Sequence, residues 1–357
     1  CLFQNMSLGR RNFIKLAASS ALVLSSCGTV FNQNNNSNNS NMIIKPKRLR
    51  KNAKIGIVAP ATNVPNPDDI AKAIEVLNYF ELNYELAASI QSGSGYRTRI
   101  PSQRAEDFNK MFYDDSIDAV FCIRGGYGSA QILDLIDYEN IKKHPKIFLG
   151  YSDITAVHNS IFRNTGLITF HGPVLMSSFP DYTTNAFQNI FFNEIINSKL
   201  ENPREMNGIR SKYPVRVINA GNADGRLLGG NISLVASLIG TKYQPNYRDS
   251  ILFLEEVGET PYRIDRMLNQ IKMAGLFEGV KGIVIGKCED CEIGSSNSTW
   301  DLSLGEVIDY YIKPLNVPSF YGLMIGHTKE QLTLPHGCLC SINTEDCTIN
   351  LLESPFS

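Results

Sequence analysis

The stretch that decides the fold is Lys146-Ile147-Phe148-Leu149-Gly150-Tyr151-Ser152-Asp153-Ile154-Thr155. It predicts an apolar strand that stops at a glycine, exposes one serine and turns directly into a helix. The free N–H groups and the dipole of a helix's first turn favour negative charge. The turn therefore suits a nucleophilic Ser152, with the Asp153 N–H as an oxyanion donor. An ordinary strand-to-helix turn with Ser152 as the N-cap explains the same residues.

The first 27 residues resemble a bacterial export signal. Arg10 and Arg11 precede an apolar run at 16–24 that is too short to span a bilayer comfortably, as in twin-arginine signals. The run ends in Leu24-Ser25-Ser26-Cys27, which resembles the lipobox of bacterial lipoproteins. We therefore expect Cys27 to carry lipid and the protein to be exported, periplasmic or at the cell envelope, and anchored to a membrane. The alternative is a cytoplasmic protein.

The remaining chain is expected to consist of a tether and two domains. Residues 28–52 are rich in Asn and Ser, have little to bury, and predict a disordered tether. A polar stretch then divides an N-terminal domain at 53–200 from a C-terminal domain at 201–357. The chain has 43% hydrophobic residues, 19% charged residues and a net charge of −1, a composition that is typical of a soluble globular protein. The lack of net positive charge argues against nucleic acid as a partner.

Strand-like runs alternate with helical patterns, which indicates an α/β fold. An apolar run at 54–59 precedes a helical pattern at 68–80, and another at 119–123 precedes one at 129–136. Strands that are apolar throughout are typical of parallel sheets covered by helices on both faces. Functional loops of such sheets gather at the carboxyl ends of the strands, where Ser152 is expected to lie.

A nucleophilic serine needs a base and an acid that orients the base. His327 follows a strand-like run and a glycine, which is a loop position suited to catalysis. Glu255 ends the apolar strand predicted at 250–254, where an unpaired carboxylate would be costly. Spacing alone leaves open whether Glu255 simply reaches solvent.

The other four histidines have different expected places. His158 lies on or near the apolar stripe of the helix after Ser152 and is expected to be packed, whereas His171 follows an apolar run and is a candidate to line the site. His144 and His336 lie in Pro-containing loops and are expected at the surface. Cys288 and Cys291 have metal-knuckle spacing, but no second pair accompanies them, so no metal is expected.

Seven separate motifs, in order along residues 53–353, resemble those of the LD-carboxypeptidase family of serine peptidases. The family contains murein tetrapeptide carboxypeptidases and microcin C immunity peptidases. The motifs are Arg104-Ala105-Glu106-Asp107-Phe108, Arg124-Gly125-Gly126-Tyr127-Gly128, Gly150-Tyr151-Ser152-Asp153, His171-Gly172-Pro173, Leu228-Gly229-Gly230-Asn231, Phe253-Leu254-Glu255 with the Pro261–Arg266 segment, and Gly326-His327.

The resemblance implies a flavodoxin-like N-terminal domain that carries the nucleophile turn and a second α/β domain that carries the acid and the base. It implies a triad of Ser152, Glu255 and His327. The implied oxyanion hole is the Asp153 N–H with an N–H of Gly125 or Gly126. The implied reaction releases terminal D-alanine from murein tetrapeptide, without a cofactor, and the family favours a homodimer.

Substrate binding is assigned to Arg124, Tyr151 and His171, with Arg124 as the candidate cation for the free carboxylate beside the scissile bond. Residues 293–300 look inserted relative to the family, so substrate identity stays more open than reaction type. One alternative is a lipid-anchored solute-binding protein, which would bind without turnover. Another is a peptidase of the same fold that acts on a peptide-nucleotide antibiotic.

Overall fold

A computed structural model describes residues 42–91, 100–193, 199–292 and 302–357. The predicted export signal with Cys27, most of the predicted tether and the apparent insertion at 293–300 lie outside these residues. Within the described ranges, no helix combines the length and the apolar character that crossing a bilayer requires.

The strands, in chain order, are β1 Lys54–Val58, β2 Asn83–Leu86, β3 Ala119–Cys122, β4 Ile147–Gly150, β5 Thr169–His171, β6 Lys199–Leu200, β7 Met206–Asn207, β8 Arg210–Ser211, β9 Arg216–Asn219, β10 Asn222–Asn231, β11 Ser250–Glu255, β12 Gly282–Gly286, β13 Ser319–Leu323, β14 Leu334–His336, β15 Leu339–Asn343 and β16 Thr348–Leu351. The α-helices are α1 Pro67–Tyr79, α2 Pro101–Tyr113, α3 Tyr138–Lys143, α4 Thr155–Thr165, α5 Asp181–Phe192, α6 Ile232–Ser237, α7 Pro261–Met273 and α8 Leu304–Ile312, and 3-10 helices span Ser129–Leu135, Ser152–Ile154 and Lys313–Leu315.

The first sheet has the strand order β14-β5-β4-β3-β1-β2. Strands β1 to β5 are parallel in the order 2-1-3-4-5, which is flavodoxin-like, and β14 adds an antiparallel edge. Strands β3 and β4 are fully buried because helices cover both faces of the sheet. The predicted α/β fold is confirmed, and Ser152 directly follows the carboxyl end of the central strand β4.

The second sheet has the order β6-β16-β15-β10-β11-β12-β13-β9. Its centre, β10 to β13, is parallel, and antiparallel strands flank the centre on both sides. Strand β11 is buried along its whole length and ends at Glu255. Glu255 thus lies at the carboxyl end of a central strand of the second sheet, just as Ser152 follows the carboxyl end of a central strand of the first.

Two predictions are wrong, one about the exposure of a histidine and one about the extent of the disordered tether. His336 is not a surface residue: it lies on β14, pairs with Thr169 of β5 and is 0% exposed, because the Pro-His-Gly segment completes the first sheet. The predicted disordered tether also ends earlier than residue 52. Ile44 exchanges backbone hydrogen bonds with Gly166 and Ile168, and Leu49 is buried, so this apolar part of the segment packs on the body.

Gly229 allows β10 and β11 to approach each other, and this gives a test of the fold. A Cβ on Gly229, at φ +141°, would lie 1.8 Å from the carbonyl oxygen of Phe253, whereas a Cβ on Gly240, at φ +80°, would meet nothing within 4 Å. We expect Gly240→Ala to lower the free energy of unfolding by about 1–2 kcal/mol through backbone strain. Gly229→Ala should lose ~3 kcal/mol more, because the strands must separate. Urea unfolding of both variants measures the difference, and equal losses would contradict this account.

Candidate active site

The Ser152 turn is held in an unusual backbone conformation. Ser152 has φ +65°, a left-handed value that a residue with a side chain rarely adopts, at the junction of β4 and the 3-10 helix Ser152–Ile154. Gly125 packs directly against it: a Cβ on Gly125 would lie 3.1 Å from the Ser152 Cβ and 3.3 Å from its Oγ. The strained turn presents the hydroxyl beside the 125–128 loop.

Ser152, His327 and Glu255 form a continuous hydrogen-bonded chain. The Nε2 atom of His327 lies 2.8 Å from Oγ of Ser152. Its Nδ1 atom lies 2.8 Å from Oε2 of Glu255. The serine comes from the first sheet, the carboxylate from the end of β11, and the histidine from the loop after β13, so residues far apart in sequence converge where the two sheets meet.

The Glu255 carboxylate is completely buried, with 0% exposure. Gly326 makes room for it: a Cβ on Gly326, at φ +77°, would lie 2.1 Å from Oε2 of Glu255. The glycine before His327 is therefore required for the loop to pass over the carboxylate. Burial without an ion pair would be costly, and the imidazole supplies the partner.

The environment raises the pKa of His327 above its usual value of about 6.5. Burial lowers this pKa, but the hydrogen bond and the negative charge of Glu255, with a smaller contribution from Glu256, outweigh burial. The imidazole is therefore suited to accept a proton from Ser152 near neutral pH and to hold it next to the carboxylate.

Polar contacts fix the loops around the serine. The Asp153 carboxylate accepts a 2.7 Å hydrogen bond from the N–H of Ser129. Burial raises the pKa of Asp153, and hydrogen bonds such as this one oppose that rise. The Arg104 guanidinium is buried and donates to the carbonyl of Gly128 at 2.8 Å and to Oε1 of Gln131 at 2.7 Å. The motif arginine thus supports the 125–128 loop from the protein interior.

The three predicted substrate-binding residues lie in different places. Tyr151 lines a cavity beside His327, and the centroids of the two rings are 4.9 Å apart. Burial raises the pKa of the Tyr151 hydroxyl. Arg124 is half-buried, immediately before Gly125. The prediction that His171 contacts substrate is wrong in this structure: its side chain is 1% exposed, with Nε2 4.0 Å from Oε1 of Glu255.

The cavity beside His327 has a volume of about 640 Å³. It is lined in part by Lys212, Tyr213, Lys287 and Tyr321, which the sequence reasoning did not select. Lys212 and Tyr213 lie near the start of the predicted C-terminal domain, in a polar part of the sequence whose composition gave no signal of a binding role. The six cysteines of the described ranges are free thiols, and no group of three or more His, Cys, Asp or Glu residues there is arranged to hold a metal ion.

Two family profiles match the chain. The profile described as LD-carboxypeptidase N-terminal domain matches residues 55–172, and that of the LD-carboxypeptidase C-terminal domain matches residues 224–342. The first match contains Ser152, and the second contains Glu255 and His327.

Named relatives extend the match over most of the chain. The "Probable murein peptide carboxypeptidase" of Bacillus subtilis is 35% identical over 304 residues, covering 85% of this chain and 93% of the relative. The microcin C7 self-immunity protein MccF of Escherichia coli is 30% identical over 290 residues, covering 73% and 81%. A solved structure of MccF in complex with aspartyl sulfamoyl adenosine has a TM-score of 0.80 at 26% identity, covering 88% of this chain and all of that one. The muramoyltetrapeptide carboxypeptidase of Oxalobacter formigenes has a TM-score of 0.71 at 25% identity, covering 84% and 98%.

The raised pKa of His327 predicts how Ser152 reactivity depends on pH. The base must be neutral to accept the serine proton, so the rate at which a fluorophosphonate labels Ser152 should rise with pH, with a midpoint above 6.5. Glu255→Gln removes the charge that raises this pKa. We expect its midpoint to fall and its plateau rate to drop by about 10⁴-fold. A midpoint that is unchanged in Glu255→Gln would contradict the assigned cause.

Proposed function

Because the chain belongs to the LD-carboxypeptidase family, and is therefore a serine-type carboxypeptidase, we propose that it hydrolyses the bond between an L-configured centre and a terminal D-amino acid. The proposed reaction releases D-alanine from the tetrapeptide of murein. The 2.8 Å contacts that join Ser152, His327 and Glu255 carry this proposal. The similarity to relatives whose names refer to murein peptides supports the choice of substrate.

In the proposed mechanism, His327 takes the proton of Ser152 as the hydroxyl attacks the scissile carbonyl carbon. The N–H of Asp153 and an N–H of Gly125 or Gly126 stabilise the oxyanion. His327 then protonates the leaving amine of D-alanine, and an acyl-serine remains. Water, deprotonated by the same imidazole, releases the tripeptide, while Glu255 stabilises the imidazolium in both steps.

A carboxypeptidase must also bind the terminal carboxylate of its substrate. We assign this role to Arg124, whose position next to Gly125 places it beside the serine turn. A guanidinium binds a carboxylate in a bidentate manner, which would fix the terminal residue relative to Ser152. Lys212 and Lys287 on the cavity wall are already paired with Glu205 at 2.9 Å and with Glu289 at 2.7 Å, so we assign the carboxylate to Arg124 and not to them.

A second candidate substrate is a peptide-nucleotide conjugate. The relative MccF is named for immunity to microcin C7, and its solved complex contains aspartyl sulfamoyl adenosine. In this chain, the half-buried Tyr321 lines the cavity next to His327 and offers aromatic surface on which a base can stack, whereas Tyr213 is only 8% exposed. The same three residues would cleave either substrate, so the difference would lie in the cavity.

Activity on a stem tetrapeptide tests the proposed function. We expect the wild-type protein to release D-alanine and Ser152→Ala to lose about 10⁶-fold in kcat while retaining most of its affinity, since the triad acts as a unit. Ser178→Ala, on the cavity wall, is the matched control and should retain activity. A wild-type protein that binds the peptide without turnover would favour the solute-binding alternative. Preferential hydrolysis of aspartyl sulfamoyl adenosine would favour the conjugate.

We also propose that the enzyme acts outside the cytoplasm, anchored by lipid on Cys27. We expect Cys27→Ala to move the protein from the membrane fraction to the soluble fraction and to abolish incorporation of an alkyne-labelled fatty acid. Ser26→Ala, the neighbouring control, should retain both. A Cys27→Ala protein that still sediments with membranes would contradict lipid anchoring at this residue.

A further inference from the structure

One oxygen of the Glu255 carboxylate has no role in the triad. Oε2 faces His327, whereas Oε1 is buried and has no hydrogen-bond partner among the described residues. Directly opposite, at 4.0 Å, lies Nε2 of His171, which is also buried and also without a hydrogen-bond partner in the described ranges. Two unsatisfied polar atoms, one an acceptor and one able to donate, thus face each other in the interior.

The distance between these two atoms is about 1 Å longer than a normal hydrogen bond. Leaving both atoms unpaired costs free energy, since neither reaches water. A hydrogen bond between the two atoms would remove both costs at once. His158, whose ring centroid lies 6.1 Å from that of His171, does not compete for either atom, because its own nitrogens lie 2.8 Å from Thr169 Oγ1 and 2.8 Å from the Gly150 carbonyl oxygen.

His171 is suited to donate as a neutral ring. Burial lowers its pKa well below the usual value, and the nearby histidines lower it further. In the described ranges, the titratable groups around it and around its partner are His158, His336, His327, Tyr151, Cys288, Glu255 and Glu256. A neutral imidazole adds no charge that would compete with His327 for the carboxylate.

We propose that His171 is a positioning residue that donates its Nε2–H to Oε1 of Glu255 and so holds the other oxygen on His327. The proposal rests on the triad of the proposed function. Strand pairing supports it: Gly150, before the nucleophile turn, lies opposite His171, so one backbone register fixes both the serine and the donor. His171 acts on the reaction only through Glu255.

Fluorophosphonate labelling of Ser152 as a function of pH tests the proposal without assuming a substrate. In His171→Phe, which keeps a ring but lacks a donor, we expect the plateau rate to fall by about tenfold to one hundredfold. We also expect the midpoint to move to higher pH, because without this donor the negative charge of Glu255 stabilises the protonated ring of His327 more strongly. His171→Gln retains an N–H donor and should recover most of both properties.

The matched control is His336→Phe. It makes the same substitution in the same buried group of histidines, on a ring that also has nitrogens without a side-chain partner among the described residues, but that is not opposite Glu255. It should change stability, measured by thermal unfolding, while leaving the labelling midpoint unchanged. If His171→Phe does not fold, His171→Leu replaces it as the variant without a donor and is compared with His171→Gln.

Three outcomes would overturn the proposal. The first is wild-type labelling and midpoint in the folded His171→Phe or His171→Leu protein. The second is an equal loss of rate in His171→Phe and His336→Phe with no change of midpoint, which would indicate a purely structural role. The third is a wild-type protein that resists the reagent at every pH, which would remove the triad itself. Labelling of the wild type without tetrapeptide hydrolysis would instead reject only the proposed substrate and leave the His171 comparison valid.

Discussion

The contact between the buried Glu255 carboxylate and the imidazole of His327 is the constraint on which the rest of the site depends. An ionised carboxylate with no exposure to water is stable only if other groups satisfy it. The His327 imidazole meets this requirement at one oxygen, and it can do so because Gly326 passes over the carboxylate so closely that no side chain fits there. The position of β11 therefore determines where the loop after β13 must run, and with it the position of the base.

The serine is tied to the same frame by helix α4. Within this helix, Asn159 donates to the carbonyl of Gly229 at 3.0 Å and accepts from the Tyr247 hydroxyl at 3.1 Å. The Thr155 hydroxyl accepts from the N–H of Asn231, the residue that pairs with Glu255 in the sheet. Buried polar groups on the helix that follows Ser152 thus hold it against the second sheet. The relative position of nucleophile and acid is set by these hydrogen bonds as well as by apolar packing.

What the sequence could predict depended on how local the signal was. The apolar strand before Ser152 and the strand ending at Glu255 are local patterns, and both form as expected. The pairing of β14 with β5 brings together segments more than 160 residues apart, so a Pro-His-Gly segment looked like a surface turn although it completes a sheet. Likewise, Ile44 in the segment predicted as a tether is ordered by backbone hydrogen bonds with residues 166–168, and the composition of the segment alone could not predict these contacts. The cavity wall at Lys212 and Tyr213 also depends on tertiary contacts.

The arrangement concentrates energetic costs at one place, and this bears on what the site is for. Ser152 adopts a left-handed backbone conformation, Glu255 is buried as an acid, and one carboxylate oxygen faces an unpaired ring nitrogen. Each feature costs stability, and a solute receptor would gain nothing from any of them. A hydrolase gains from the first two, since the strained turn exposes the hydroxyl and the buried acid raises the proton affinity of the base. The distribution of strain in the structure therefore favours turnover over simple binding as the function of the cleft.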